Sequence, residues 1–358
     1  PLSVCLCQFE LIGDYSLIYK DFMRTLSDVK RVLAAGLCAL ALGLAGPVPA
    51  VTTPEAEVDA FVERMVTEHG FDRQGLERDL AKARVSEAIL SAIARPAERV
   101  EPWYEYRRRV SRARIDAGQR FLADHAGALA RARERYGVSE AVIVAILGLE
   151  TNYGTYPLNH RVLDALYTLA FHYPPRAGTF LPQFEDFLLL AREEAKPVES
   201  FMGSYAGAMG VPQFMPISFR TWAVDFDGDG ARDIWDSMDD VIGSVAAYLA
   251  AHGWREDAPI AVPVSYDGGP LDLARGVKPR DPARAFLEAG VRPKTATPVP
   301  VDAPASLLEL EVADGVPGYW LVFENFYAIT RYNASAKYAM VIAELASKVA
   351  RSGAAASR

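Results

Sequence analysis

The sequence predicts a mainly helical protein of mixed α+β type: a helical body, one short acidic loop and a small β-containing insertion. Three observations carry this expectation. Apolar residues recur at helical spacing from Glu57 onward, an acidic turn with central glycines occupies 225–236, and prolines and glycines crowd 257–314. The 358 residues are 51% hydrophobic, 10% aromatic and 23% charged, enough to bury a large core and incompatible with a disordered or collagenous chain. Lys and Arg number 38 against 46 Asp and Glu, a net charge of −8, which argues against a general nucleic-acid binder.

Residues 1–50 read as an export signal behind a spurious N-terminal extension. Arg24, Lys30 and Arg31 form a basic region, Val32 to Ala45 an apolar run, and Val48-Pro49-Ala50 a small-residue cleavage pattern. Pro1 to Phe22 lie upstream of Met23 and are read as an over-extended reading frame. The apolar run falls short of the ~20 residues a membrane span needs and stops at Gly46-Pro47. Leu37 stands where a lipid-anchor motif ahead of Cys38 needs a small residue. A soluble, exported mature protein starting near Val51 is therefore expected, with no transmembrane anchor. Glu10, Asp14, Asp21 and Asp28 balance Lys20, Arg24, Lys30 and Arg31, so its charge stays at −8. Cys5, Cys7 and Cys38 all precede it, leaving neither a disulfide framework nor a thiol nucleophile downstream.

Within 51–135, Val58, Phe61, Val62, Met65 and Val66 make one helical stripe that Gly70 ends, and Phe121, Leu122 and Leu129 continue the pattern in a single helix from Ala117 to Tyr136. The stretch 136–256 is the expected core. Ser139 caps Glu140 to Leu149, which is apolar almost all round, hence buried, and runs straight into Glu150. Leu163 to Ala170, Phe184 to Ala191 and Val241 to Leu249 are also helical, the last capped by Asp239 or Asp240 and stopped at Gly253. The insertion, 257–322, holds short β-type runs at Ile260 to Tyr266, Leu307 to Val312 and Tyr319 to Phe323. Helical signal returns at Ser335 to Val349, so 323–358 is expected to pack back on the body.

Glu150 opens the chemistry, in Leu149-Glu150-Thr151-Asn152-Tyr153-Gly154. A carboxyl at the end of an apolar helix loses hydration, which raises its pKa and lets it hold a proton at neutral pH, as a glycosidic general acid must. The alternative is a helix-end glutamate bonded to nearby backbone N–H groups. Gly203 to Pro216 is rich in small residues, and its Ser204 and Gln213 offer hydrogen bonds to the hydroxyl or acetamido groups of a sugar; the alternative is a tight loop between helices. Asp225, Asp227, Asp229, Gly230, Ala231 and Asp233 follow the calcium-loop spacing, with the Ala231 carbonyl at position seven. Position twelve is Asp236 rather than glutamate, so another acid such as Asp240 is expected to help. One such loop reads as a structural calcium clamp rather than a sensor. Asn325 to Asn333 mixes aromatic faces with amide and guanidinium donors, a combination suited to sugars or, equally, to a strand-to-helix connection. Arg107 to Arg114 reads as a solvated helix face. HExxH, GxxxxGK[ST] and GxSxG are absent, and His69, His125, His160, His172 and His252 lack metal-ligand spacing.

Together the blocks Ala145 to Gly154, Ser204 to Trp254 and Asn325 to Tyr338 resemble the lytic murein transglycosylase B family of periplasmic glycosidases. The resemblance implies a lysozyme-like helical catalytic core and makes Glu150 the sole acid/base. It further implies substrate contacts from Ser204, Gln213, Tyr332, Asn333, Tyr248, Tyr338 and, in a weaker block, Tyr106, and one EF-hand-like calcium site. The implied reaction cleaves peptidoglycan between N-acetylmuramic acid and N-acetylglucosamine and leaves a 1,6-anhydro end. The partners it implies are glycan strands and cell-wall synthesis or remodelling proteins. A non-catalytic peptidoglycan-binding scaffold and a muramidase that transfers to water are the alternatives.

Overall fold

The computed structural model describes residues 53–94 and 101–356. The export segment lies outside the described residues. Helix α1 (Pro54–His69) is capped by the Thr53 hydroxyl and ended by Gly70, followed by α2 (Arg73–Leu80) and α3 (Glu87–Ala94). After α4 (Trp103–Tyr106), the expected single helix is two, α5 (Arg112–Asp124) and α6 (Ala126–Tyr136), broken at His125. Gly118 and Phe121 are the buried residues of the first, and Ala128, Leu129 and Ala132 those of the second.

Helix α7 (Glu140–Glu150) is the axis of the body, with every residue from Ala141 to Leu149 buried. Ser139 occupies its N-cap position but makes no side-chain capping bond. Around it lie β1 (His160–Arg161), α8 (Val162–Phe171), α9 (Ala177–Glu193), β2 (Met202–Gly203), α10 (Pro216–Trp222) and α11 (Met238–Ala251). Strands β1 and β2 pair antiparallel and anchor the start of the 203–216 segment. Helix α11 is capped by Ser237, whose hydroxyl accepts the Asp240 N–H at 3.3 Å; the cap expected from Asp239 or Asp240 sits two residues or more too late.

The insertion folds as β3 (Ala261–Ser265), β4 (Asp281–Pro282), α12 (Ala283–Glu288), β5 (Arg292–Pro293), β6 (Pro304–Ala313) and β7 (Val316–Val322). The strands form one antiparallel sheet, ordered β4-β6-β7-β3-β5. Strand alternation splits its two faces. The facing pair Leu307 and Leu321 joins Val262, Val264 and Phe286 in a core of its own, whereas Leu308, Leu310 and Val322 join the helical core. The chain then re-enters the body through α13 (Glu324–Tyr332) and α14 (Ala336–Ala356), and α14 packs along α7 and α5. Asn325, offered by sequence as a sugar donor, is fully buried: it accepts the Arg255 N–H at 2.7 Å and donates to the Arg255 and Ala258 carbonyls at 2.8 and 2.9 Å. Among the described residues no helix is long and apolar enough to cross a membrane.

Candidate active site

Glu150 is the last residue of α7, and Tyr338 reaches it from the first turn of α14. The Tyr338 hydroxyl donates to Glu150 Oε1 at 2.6 Å. Desolvation drives the Glu150 pKa up to about 7, and the Tyr338 bond, which favours the carboxylate, opposes it. No charged neighbour contributes to that shift. Tyr338 is itself buried, and burial together with the adjacent carboxyl holds its pKa well above the ordinary tyrosine value, so it stays a donor. It is a partner of the acid rather than an open groove residue.

The helix end is fixed by unusual backbone. Asn152 and Tyr153 take positive φ values of 50° and 63°, turning the chain sharply behind Glu150. The Tyr153 hydroxyl then lies where a Cβ on Gly148 or Gly118 would stand, 2.4 and 2.5 Å away, and donates to the Arg114 carbonyl at 2.8 Å. Thr151 ties this corner to the small-residue segment: its hydroxyl donates to the Val211 carbonyl at 2.9 Å, and the Val211 N–H donates to the Ile234 carbonyl at 2.9 Å.

Segment 203–216 is a buried turn closed by the Met209 and Phe214 backbones, which bond each other at 2.8 and 3.0 Å. Ser204 Oγ accepts from the Ala206 and Ala208 N–H groups, and Gln213 Nε2 donates to the Gly210 carbonyl at 2.9 Å, so both side chains, expected as sugar contacts, brace the turn itself. Gly210 combines φ +61° with a Cβ position 2.4 Å from the Ile234 carbonyl. Gly210→Ala should therefore lose at least about 2 kcal/mol in chemical denaturation.

Tyr332 is buried and donates to the Pro212 carbonyl at 2.5 Å, Tyr248 donates to the Arg331 carbonyl, and Asn333 Oδ1 accepts the Ser335 N–H at 3.2 Å. The rings of Tyr248 and Tyr332 line a pocket of about 240 Å³, together with Phe214, Trp222, His252 and Arg331. Tyr332 bears electrostatically on Tyr338, the partner of Glu150, while neither Glu150 nor Tyr338 lines the pocket. Sequence reasoning missed Trp222 and His252 as site residues. The pair Tyr248 and His252, four apart at the C-terminal end and cap of α11, was the available signal: their rings stack at 4.1 Å. Tyr106 carries the Arg109 guanidinium 3.9 Å from its ring centre and lies near Tyr338. The basic run is split between a short turn at 107–109 and the start of α5, and within it Arg107 pairs with Glu344, Arg109 with Glu101 and Arg112 with Asp116.

In the acidic loop, oxygens of Asp225, Asp227 and Asp229 lie within 4.8 Å of one another. These are hard oxygen donors at calcium spacing, and their mutual repulsion favours a cation among them. The side chains of Asp233, Asp236 and Asp240 are not part of that cluster. Asp240 is fully buried and props the loop from beneath, its oxygens accepting the Phe226 N–H at 2.6 Å and the Asp233 N–H at 2.7 Å. Asp233 Oδ1 accepts the Trp235 and Asp236 N–H groups, and the Asp227 carboxylate accepts the Ser237 hydroxyl.

A helical body built round a central apolar helix, with an aromatic pocket, has the architecture of a glycoside-cleaving enzyme of the lysozyme-like type. The family model described as the transglycosylase SLT domain matches residues 53–347, and the chain belongs to this family. It is 40% identical over 300 residues to the membrane-bound lytic murein transglycosylase B of Escherichia coli strain K12, spanning 81% of each chain. The soluble lytic transglycosylase SltB1 of Pseudomonas aeruginosa superposes with a TM-score of 0.76 at 43% identity, over 83% of this chain and 99% of that one. The Escherichia coli lytic transglycosylase Slt35 in complex with calcium superposes with a TM-score of 0.73 at 40% identity, over 82% of this chain and 92% of that one.

Proposed function

We propose that this protein is a lytic transglycosylase that cleaves peptidoglycan between N-acetylmuramic acid and N-acetylglucosamine, with Glu150 as acid and then base. The observation that carries the reading is the Glu150 carboxyl, raised to about 7 by burial and held by Tyr338. Protonated Glu150 gives its proton to the glycosidic oxygen, and the bonding pair leaves with that oxygen. Positive charge develops at the muramic anomeric carbon. The Glu150 carboxylate then takes the proton of the muramic C6 hydroxyl as its oxygen closes on that carbon, giving the 1,6-anhydro ring and restoring the acid. A single carboxyl suffices because it acts as acid and as base in sequence.

Ser204, Gln213, Tyr332 and Asn333 form the buried frame of the groove, Tyr248 its aromatic wall, and Tyr106 its outer side near Tyr338. Asp225, Asp227 and Asp229 hold a structural calcium ion, with the Ala231 carbonyl, Asp233 and Asp236 completing the loop. Murein as substrate and the basic, apolar and small-residue order of residues 24–50 support a periplasmic mature protein. Digestion of purified sacculi followed by mass spectrometry tests the reading: anhydromuropeptides are expected, and ordinary reducing ends would establish a muramidase that transfers to water.

A further inference from the structure

Behind Glu150 the backbone turns through three successive residues of positive φ, Asn152 at 50°, Tyr153 at 63° and Gly154 at 79°. Glycine adopts such angles freely, and asparagine tolerates them, here with its Nδ2 donating to the Thr155 hydroxyl at 2.8 Å. Neither reason applies to Tyr153. A bulky aromatic residue in the left-handed region is an outlier that surrounding contacts must hold in place, and such outliers gather at functional sites.

The Tyr153 and Thr151 N–H groups share the Leu147 carbonyl at 3.0 and 3.2 Å, the Tyr153 ring centre lies 5.5 Å from that of Phe121, and its hydroxyl donates to the Arg114 carbonyl at 2.8 Å. Burial pushes the phenol pKa up to about 12, so the hydroxyl stays a donor. Room for it exists because two helices carry glycine: a Cβ at Gly148 on α7 or at Gly118 on α5 would stand 2.4 or 2.5 Å from the hydroxyl oxygen. At Gly118 that Cβ would also meet Val349 of α14 at 2.9 Å. Helices α5, α7 and α14 pack pairwise, and the Tyr153 hydroxyl sits where they converge. Because α7 carries Glu150 and α14 carries Tyr338, this junction sets how the acid meets its partner.

We propose that Tyr153 is a positioning residue for the acid: its hydroxyl, wedged between Gly118 and Gly148 and bonded to the Arg114 carbonyl, holds the left-handed corner that seats Glu150 against Tyr338. The proposal rests on Glu150 as the acid of the reading above. Its test is Tyr153→Phe, which keeps the ring and removes the bond. Glu150 is titrated directly by carboxyl NMR on protein with isotope-labelled glutamate, its signal identified by absence from Glu150→Gln. A loosened corner admits water to the carboxyl, so the midpoint should fall by about one pH unit from about 7. On purified sacculi kcat should drop about tenfold while KM stays within about twofold, and the alkaline limb should move down, opposite to its movement when the Tyr338 bond is removed. Gly118→Ala combined with Tyr153→Phe separates positioning from filling: the methyl takes the space the hydroxyl leaves, so Tm should recover towards the parent's while the midpoint stays low. An unchanged midpoint or an unchanged kcat in Tyr153→Phe, or a midpoint restored by the added methyl, makes Tyr153 a packing residue and overturns the proposal. Should Tyr153→Phe not fold alone, the double variant decides by the same midpoint. Persistent cleavage by Glu150→Gln would instead overturn the catalytic assignment, and the midpoint, which needs no turnover, would still test the corner.

Discussion

Glu150→Gln should abolish anhydromuropeptide release while leaving a folded protein, a loss of about 10²–10⁴-fold in kcat measured on purified sacculi. The amide keeps the shape and a hydrogen-bond acceptor for Tyr338 but has no proton to lend. The pH profile of the unaltered enzyme should fall on its alkaline side around pH 7, where the carboxyl ionises before substrate arrives. Tyr338→Phe removes the bond that favours the carboxylate, so it should move that limb upward. The same group makes stability depend on pH. A carboxyl whose folded pKa is about 7 against an ordinary value of 4.5 adds stability that is fully present below pH 4.5 and lost as pH climbs to about 7. The buried ion then costs roughly 3 kcal/mol, with the ordinary discount for relaxation. Glu150→Gln should consequently be more stable than the parent at pH 8 and gain little at pH 4.5, which thermal unfolding at the two pH values would reveal. Equal shifts at both would contradict a desolvated Glu150.

The second large effect concerns the acidic loop. Calcium at a hundredfold excess over its Kd should stabilise the protein by about 2.7 kcal/mol, seen as a rise of several degrees in Tm, and Asp225→Ala should cancel the response. Magnesium should do less, because it demands a tighter octahedral set than this open loop offers. The loop is also wired to the acid. Ile234, just beyond Asp233, bonds Val211, which in turn bonds Thr151 next to Glu150. Chelation should therefore lower kcat before it unfolds the molecule, an order that activity and circular dichroism followed together would show.

The desolvation of Glu150 was legible in the sequence because an ionisable group at the end of an unbroken apolar run loses its hydration. The acidic loop was legible because its spacing is local. The insertion announced itself through proline and glycine density, although α12 and the short strands β4 and β5 are too brief to leave a period. Tyr338 was found only by family resemblance, and its bond to the acid could not be read at all, since the partners lie 188 residues apart. The pocket was hidden for the same reason: it gathers side chains from α9, α10, α11 and α13. Caps failed where neighbours compete. Ser237 took the α11 cap because Asp240, the next candidate, is drawn beneath the acidic loop by three backbone N–H groups.

Asn325 leaves one more consequence. The sheet module departs from the helical body after Ala258 and returns at Phe323, and a single amide stitches both ends together. The root of the excursion is thus closed independently of what hangs from it, and lengthening such an excursion adds only a slowly growing entropy term. Evolution can enlarge, trim or exchange this appendage without disturbing the alignment of α7, so divergence among kindred enzymes should concentrate there, outboard of the stitch.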